Sequence, residues 1–141
     1  MSQGELRGRC GCGAVSAVLS GEPIATRQCW CRQCQQVAAG GPTHNAMFRT
    51  EDVHLTGKLA SHDYLAASGN VLTQSFCAAC GTPVMAQSSA RPQFRTIRIG
   101  FLEPGHDLSP QMAIWTAEAP AWARIDPALE RHEGQPPAPA S

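Results

Sequence analysis

Apolar and polar positions alternate along this chain only over short stretches, which end near glycine, proline, serine or asparagine. Period-two alternation over stretches of about four to eight residues predicts strands buried on one face. Residues 14–19 form one such stretch, closed by Ser20 and Gly21, and residues 24–29 form another after Pro23. Residues 46–48 and 53–55 flank Glu51 and Asp52, which predicts a hairpin. Residues 62–66 and 71–76 flank Ser68, Gly69 and Asn70, a strong turn signal. Residues 83–86 and 94–101 complete the set. In the last stretch Phe94, Thr96, Arg98 and Gly100 alternate with Arg95, Ile97, Ile99 and Phe101, and only the second group makes a partial apolar face. Helix signals are few. Residues 32–39 predict a short helix stopped by Gly40 and Gly41, and residues 118–123 predict one further turn. The expected fold is mainly β. A single domain over residues 1–133 is expected, followed by a disordered tail over 134–141, where proline and alanine dominate.

Composition narrows the function. The chain has 141 residues, enough for one core of ordinary size. Its 11 basic and 11 acidic residues cancel, so it lacks the basic excess of a general nucleic-acid binder. Lys58 is the one lysine; the other cations are arginines, which suit carboxylates and phosphates as well as reflecting codon composition. No stretch reaches the roughly eighteen apolar residues of a membrane span, and the first twelve positions mix charges, glycines and cysteines rather than resembling a signal peptide. The expected compartment is the cytosol, which keeps thiols reduced.

Seven cysteines in a reducing compartment call for a metal or a catalytic role. They fall into three groups: Cys10 and Cys12; Cys29, Cys31 and Cys34; Cys77 and Cys80. A structural zinc takes four ligands in a tetrahedron. Gly81 after Cys80, and Gly11 and Gly13 around Cys12, give the backbone the freedom to turn N–H groups towards sulfur. Cys10, Cys12, Cys77 and Cys80 therefore make the better closed site. The triplet has no adjacent glycine. Cys31 and Cys34 are spaced to share a helix face, and three ligands leave a fourth position for water or substrate, as in a catalytic zinc. Other readings compete. A disulfide framework suits neither the odd count nor the spacing, and a redox Cys-x-x-Cys would need a βαβ setting that the pattern lacks. One of His44, His54, His62, His106 or His132 could close the triplet, or the triplet could be weakly metallated.

The runs Arg9-Cys-Gly-Cys-Gly-Ala-Val15, Cys29-Trp-Cys-Arg-Gln-Cys-Gln35 and Phe76-Cys-Ala-Ala-Cys-Gly-Thr82 resemble the glutathione-dependent formaldehyde-activating enzyme family, also called centromere protein V-like. The resemblance runs from about Gly8 to Ile125 and includes Gly40, Tyr64, Ile99, Gly100 and Trp122. It implies an Mss4-like fold of several small coiled antiparallel sheets around zinc sites, with one or two short helices. It implies two zinc ions per chain: a structural one on Cys10, Cys12, Cys77 and Cys80, and a catalytic-type one on Cys29, Cys31 and Cys34. The implied activity is that of a carbon–sulfur lyase, with a small thiol such as glutathione and a small aldehyde such as formaldehyde as partners. Trp30 departs from the family, where many relatives carry histidine between the first two cysteines of the triplet. Arg27 and Arg32 beside the triplet are candidate ligands for a substrate carboxylate, and Trp30 is a candidate apolar cover. The competing function is a non-catalytic zinc-binding module or metal store on the same scaffold.

Overall fold

Most strands are short because glycine-containing turns cut them, and the turns decide which strands meet. The computed structural model describes residues 5–66 and 68–139. The strands are β1 Leu6–Arg9, β2 Ser16–Leu19, β3 Ala25–Cys29, β4 Thr43–Arg49, β5 Val53–Thr56, β6 Leu59–Leu65, β7 Val71–Cys77, β8 Pro83–Ser88, β9 Phe94–Arg98, β10 Met112–Ile114 and β11 Glu130–Arg131. A single α-helix among the described residues, α1 Arg32–Val37, joins β3 to β4. The protein is therefore mainly β, as the pattern predicts. The strands form two sheets. A three-stranded sheet has the order β1-β2-β5, and an eight-stranded sheet has the order β11-β10-β3-β4-β9-β8-β7-β6. Pairing is antiparallel except at β10, which runs parallel to both β3 and β11, so the larger sheet is mixed.

The main core lies between the sheets. Ala17 and Leu19 from β2 meet Ala46 and Phe48 from β4, Val84 from β8 and Ile97 from β9, with Phe101 and Leu102 beside them. Burying a side chain such as Phe48 or Leu19 is worth about 1.5–3 kcal/mol. Cys10 and Cys77 belong to this same cluster, so one cysteine site is built into the edge of the core.

The β6–β7 pair forms across Ser68, Gly69 and Asn70, with Leu65 opposite Val71 and Gly69 at φ 90°. The hairpin expected of residues 46–48 and 53–55 does not form. β4 pairs with β3 and β9, whereas β5 pairs with β2 in the other sheet. Two features explain this. Thr50–Asp52 lacks a glycine or asparagine for a tight hairpin turn and instead makes a 3-10 turn that carries the chain between sheets. β4 is also apolar on both faces, with Ala46 and Phe48 on one and Met47 on the other, which suits a central strand. β9 ends at Arg98, earlier than expected, because a 3-10 turn over Ile99–Phe101 swings Phe101 into the core. Near residues 118–123 the chain makes a 3-10 turn at Thr116–Glu118. Where the tail was expected to begin, the Gly134 carbonyl accepts from the Trp115 N–H, Gln135 accepts from the Trp115 indole, and Pro136 is buried. Residues 140 and 141 lie outside the described residues. No helix among the described residues is long and apolar enough to cross a membrane.

Candidate metal centres

Two loops meet at the first cysteine cluster. After β1 the chain turns so that the Gly13 N–H donates to the Cys10 carbonyl; after β7 the Gly81 N–H donates likewise to the Cys77 carbonyl. Gly13 sits at φ 82° and Gly81 at φ 80°, the left-handed region that a side chain resists. These turns aim N–H groups at sulfur. Val15 N–H donates to Cys10 at 3.2 Å, and Ala79 and Cys80 N–H donate to Cys77 at 3.3 and 3.4 Å. The Thr82 hydroxyl donates to Cys80 at 3.1 Å while accepting from the Gly11 N–H at 3.0 Å, and so ties one loop to the other. Chiefly through this hydroxyl, Cys80 is held down to about 5.

The sulfurs of Cys10, Cys12, Cys77 and Cys80 all lie within 4.8 Å of one another. Cys10 to Cys12 is 3.7 Å and Cys12 to Cys77 is 3.8 Å. A tetrahedral zinc with sulfur at about 2.3 Å requires sulfurs about 3.8 Å apart. The cysteines are free, and these spacings are far beyond a disulfide bond of about 2.05 Å. The cluster could hold a metal, and its geometry fits zinc.

The second cluster forms where β3 meets α1. Cys29 is the last residue of β3, opposite Thr43 of β4 and Ile114 of β10. Cys31 caps α1, its sulfur accepting from the Cys34 N–H at 3.4 Å, and Cys34 lies within the helix. The sulfurs of Cys29, Cys31 and Cys34 also lie within 4.8 Å of one another, and no histidine or carboxylate among the described residues joins them as a fourth member. None of the five histidines expected as possible partners is in the group. His44, for one, hydrogen-bonds Gln28 at 3.1 Å on the next row of the sheet.

Three thiols this close, two of them buried, cannot ionise together without a cation. Hydrogen bonds from Cys29 and then Cys31 hold Cys34 down to about 3, helped by the Thr43 hydroxyl and the Arg98 guanidinium. Cys29 is pushed far up by the hydrogen bonds it makes to Cys31 and Cys34 and by burial. Cys29 lowers Cys31, but Cys34 and burial outweigh that effect and push Cys31 up to about 11. A divalent ion held by all three sulfurs would replace the protons that Cys29 and Cys31 share with Cys34.

A family model described as glutathione-dependent formaldehyde-activating enzyme matches residues 5–118. The chain belongs to this family. A crystal structure of a Rhodobacter sphaeroides protein is similar to it over 72% of this chain and 91% of that one, with TM-score 0.57 and 22% identity, and shows a shared fold. A comparison with curated proteins finds no match.

For this family member, the residues expected around the triplet are placed unequally. Arg27 is buried, and its Nε has no hydrogen-bond partner. Arg32 is exposed, and its backbone N–H donates to Glu118. Trp30 is buried, donates its indole N–H to Gln28 at 2.9 Å and packs edge-on against Trp122 at 6.5 Å. The sequence pattern does not mark Arg98, Asn45 or Gln74 as site residues, and Tyr64 enters only through the family resemblance. Arg98, His62, Gln74, Phe76 and Val37 line a pocket of about 250 Å³. Tyr64 follows His62 by two residues on β6; burial raises its hydroxyl to about 12, and the three cysteines of the triplet add to the rise. The signal for Arg98 is a charged residue on the less apolar face of β9, but nothing local marks that face as the site.

Proposed function

We propose that the protein is a zinc-dependent enzyme of the carbon–sulfur lyase type, acting on the adduct of a small thiol and a small aldehyde, with glutathione and formaldehyde as the pair that the family description suggests. In this reading two zinc ions bind per chain. Cys10, Cys12, Cys77 and Cys80 hold a structural ion, and Cys29, Cys31 and Cys34 hold the second. The observation that carries the proposal is the triplet, whose three sulfurs converge without a fourth protein ligand among the described residues.

Zinc bound there would supply a soft Lewis acid that favours a thiol sulfur over water and keeps it deprotonated. The chain's own residues do the rest. β3 and the first turn of α1 fix the three sulfurs, so the reacting thiol has one place to sit. In this reading the aldehyde enters the pocket that Arg98 lines, and because Arg98 also acts on Cys34 the two partners meet with the gain of proximity. In the forward direction sulfur forms a bond to the carbonyl carbon, the C=O π bond breaks, and the proton lost by the thiol ends on the new hydroxyl. His62 and Tyr64 stand on the pocket's strand as groups able to pass that proton to oxygen. The reverse step cleaves the same C–S bond. The cytosol, where thiols stay reduced, is the compartment this chemistry suits.

The test uses cobalt-loaded protein, whose thiolate-to-metal bands respond to a new sulfur ligand. Glutathione is expected to alter the bands in the native sequence and not in Cys34→Ser. With thiol and formaldehyde present, the zinc form is expected to speed adduct formation or breakdown beyond the same mixture without protein. A spectral change without rate enhancement would instead favour a binding module or metal store. No change with any small thiol would overturn the proposal.

A further inference from the structure

The sheet face that carries the triplet also carries positive charge without a carboxylate partner among the described residues. Arg27 on β3, Asn45 on β4 and Arg98 on β9 stand directly opposite one another across three strands. Opposed residues share a face, and so do residues two apart, so Cys29 and Thr43 lie on the same face as this row. All three residues of the row are buried, Arg27 and Arg98 each to 7% exposure. Arg98 Nη1 donates to Asn45 Oδ1 at 2.8 Å, and Asn45 Nδ2 donates to Thr43 Oγ1 at 3.0 Å. The chain of contacts thus runs from the pocket, which Arg98 lines, to the Thr43 hydroxyl beside Cys34.

Arg27 is less well served. Its buried Nε has no partner, and Arg91 lies close enough to repel its charge. Among the described residues the ion pairs are Arg7 with Glu5 and His132 with Glu130, so neither buried arginine has a carboxylate. A buried, unpaired guanidinium is costly unless a counter-charge offsets it. Three thiolates around a divalent ion supply one formal negative charge, and a substrate thiolate would supply a second. The two buried arginines match that charge, and the part-exposed Arg91 near Arg27 adds a third positive charge.

We propose that Arg98 and Arg27 bind a carboxylate of the substrate, so that the site selects thiols carrying an acid group a few bonds from sulfur. The proposal deepens the reading of the triplet as a thiol site and rests on it. Guanidinium suits the task because its fork can hold both carboxylate oxygens while Asn45 fixes its plane.

The full chain, loaded with cobalt, is titrated with 3-mercaptopropionate and with 2-mercaptoethanol. The acidic thiol is expected to bind at least about tenfold more tightly, the order of one charge-assisted pair. Arg98→Gln should abolish that preference, and Arg98→Lys, which keeps the charge, should retain part of it and serves if the first variant does not fold. In parallel, propionate, which has no thiol, is added to the zinc-loaded protein and the arginine Nε–H resonances are followed. Saturable shifts at Arg27 and Arg98 are expected. If no thiol changes the cobalt bands while propionate still shifts these resonances, the thiol reading fails and the carboxylate site stands. If both thiols bind alike, or Arg98→Gln weakens both equally, the arginines only balance the charge of the thiolates and the proposal is overturned. Unshifted Nε–H resonances would overturn it too.

Discussion

At the scale of single residues, the two cysteine clusters differ in what surrounds them. Cys10 and Cys77 are part of the main core, whereas Cys34 sits in a small separate cluster with Cys29 and Ile114. A structural zinc can contribute on the order of 10 kcal/mol to folding, which is comparable to the whole stability of a typical domain. Cys77→Ser is therefore expected to give unfolded or insoluble protein, and Cys34→Ser to fold and lose only the second metal. Circular dichroism with elemental analysis reads both, and equal damage from the two changes would count against this division. The thiols of the triplet make a second expectation. Cys34, held down to about 3, is already ionised at neutral pH, whereas Cys31 at about 11 and Cys29 above it are not. Metal entry must displace the protons of Cys29 and Cys31, so affinity rises with pH and about two protons leave per ion bound at pH 7. Calorimetry in buffers of different ionisation enthalpy measures that number; release of none or all three would contradict the arrangement. The cysteine groups were legible in the sequence because each lies within a few residues of chain, and the loops at Cys12 and Cys80 carry their own glycines. The arginine row was not, because Asn45 and Arg98 are 53 positions apart and only strand pairing brings them together.

At the scale of elements, local chemistry settled the turns and long-range pairing settled the sheets. The β6–β7 turn could be read from Ser68, Gly69 and Asn70 because it needs nothing beyond its own residues. The partners of β4 could not, since a strand with Ala46, Met47 and Phe48 buried on its two faces is satisfied by any pair of neighbours. β10 and β11 leave no mark in the sequence pattern because three-residue and two-residue strands are too short to show a period. The loop at Cys80 offers a direct check. Gly81 lies at φ 80° with nothing within 4 Å of the place a methyl group would take, so Gly81→Ala costs only backbone strain. That cost is about 1–2 kcal/mol. Gly41 has ordinary φ and only the Ala38 carbonyl at 3.9 Å, so Gly41→Ala is the matched control and is expected to be near neutral. Thermal unfolding of the zinc-loaded variants compares them, and equal midpoints would contradict the role given to Gly81.

At the scale of the whole molecule, two sheets enclose one core, with a four-sulfur cluster at its edge and a three-sulfur cluster on the far face of the larger sheet. The family and the mainly β architecture follow from sequence and structure together, while the chemistry depends on whether the second cluster is open. Zinc K-edge absorption on the protein purified without chelator tests this most directly. Two ions, one with four sulfurs and one with three sulfurs and a light atom, predict an average of about 3.5 sulfurs per zinc, rising towards about four when glutathione is added. An average of four before any thiol, no rise on adding it, or a histidine shell on the second ion would contradict an open three-cysteine zinc site.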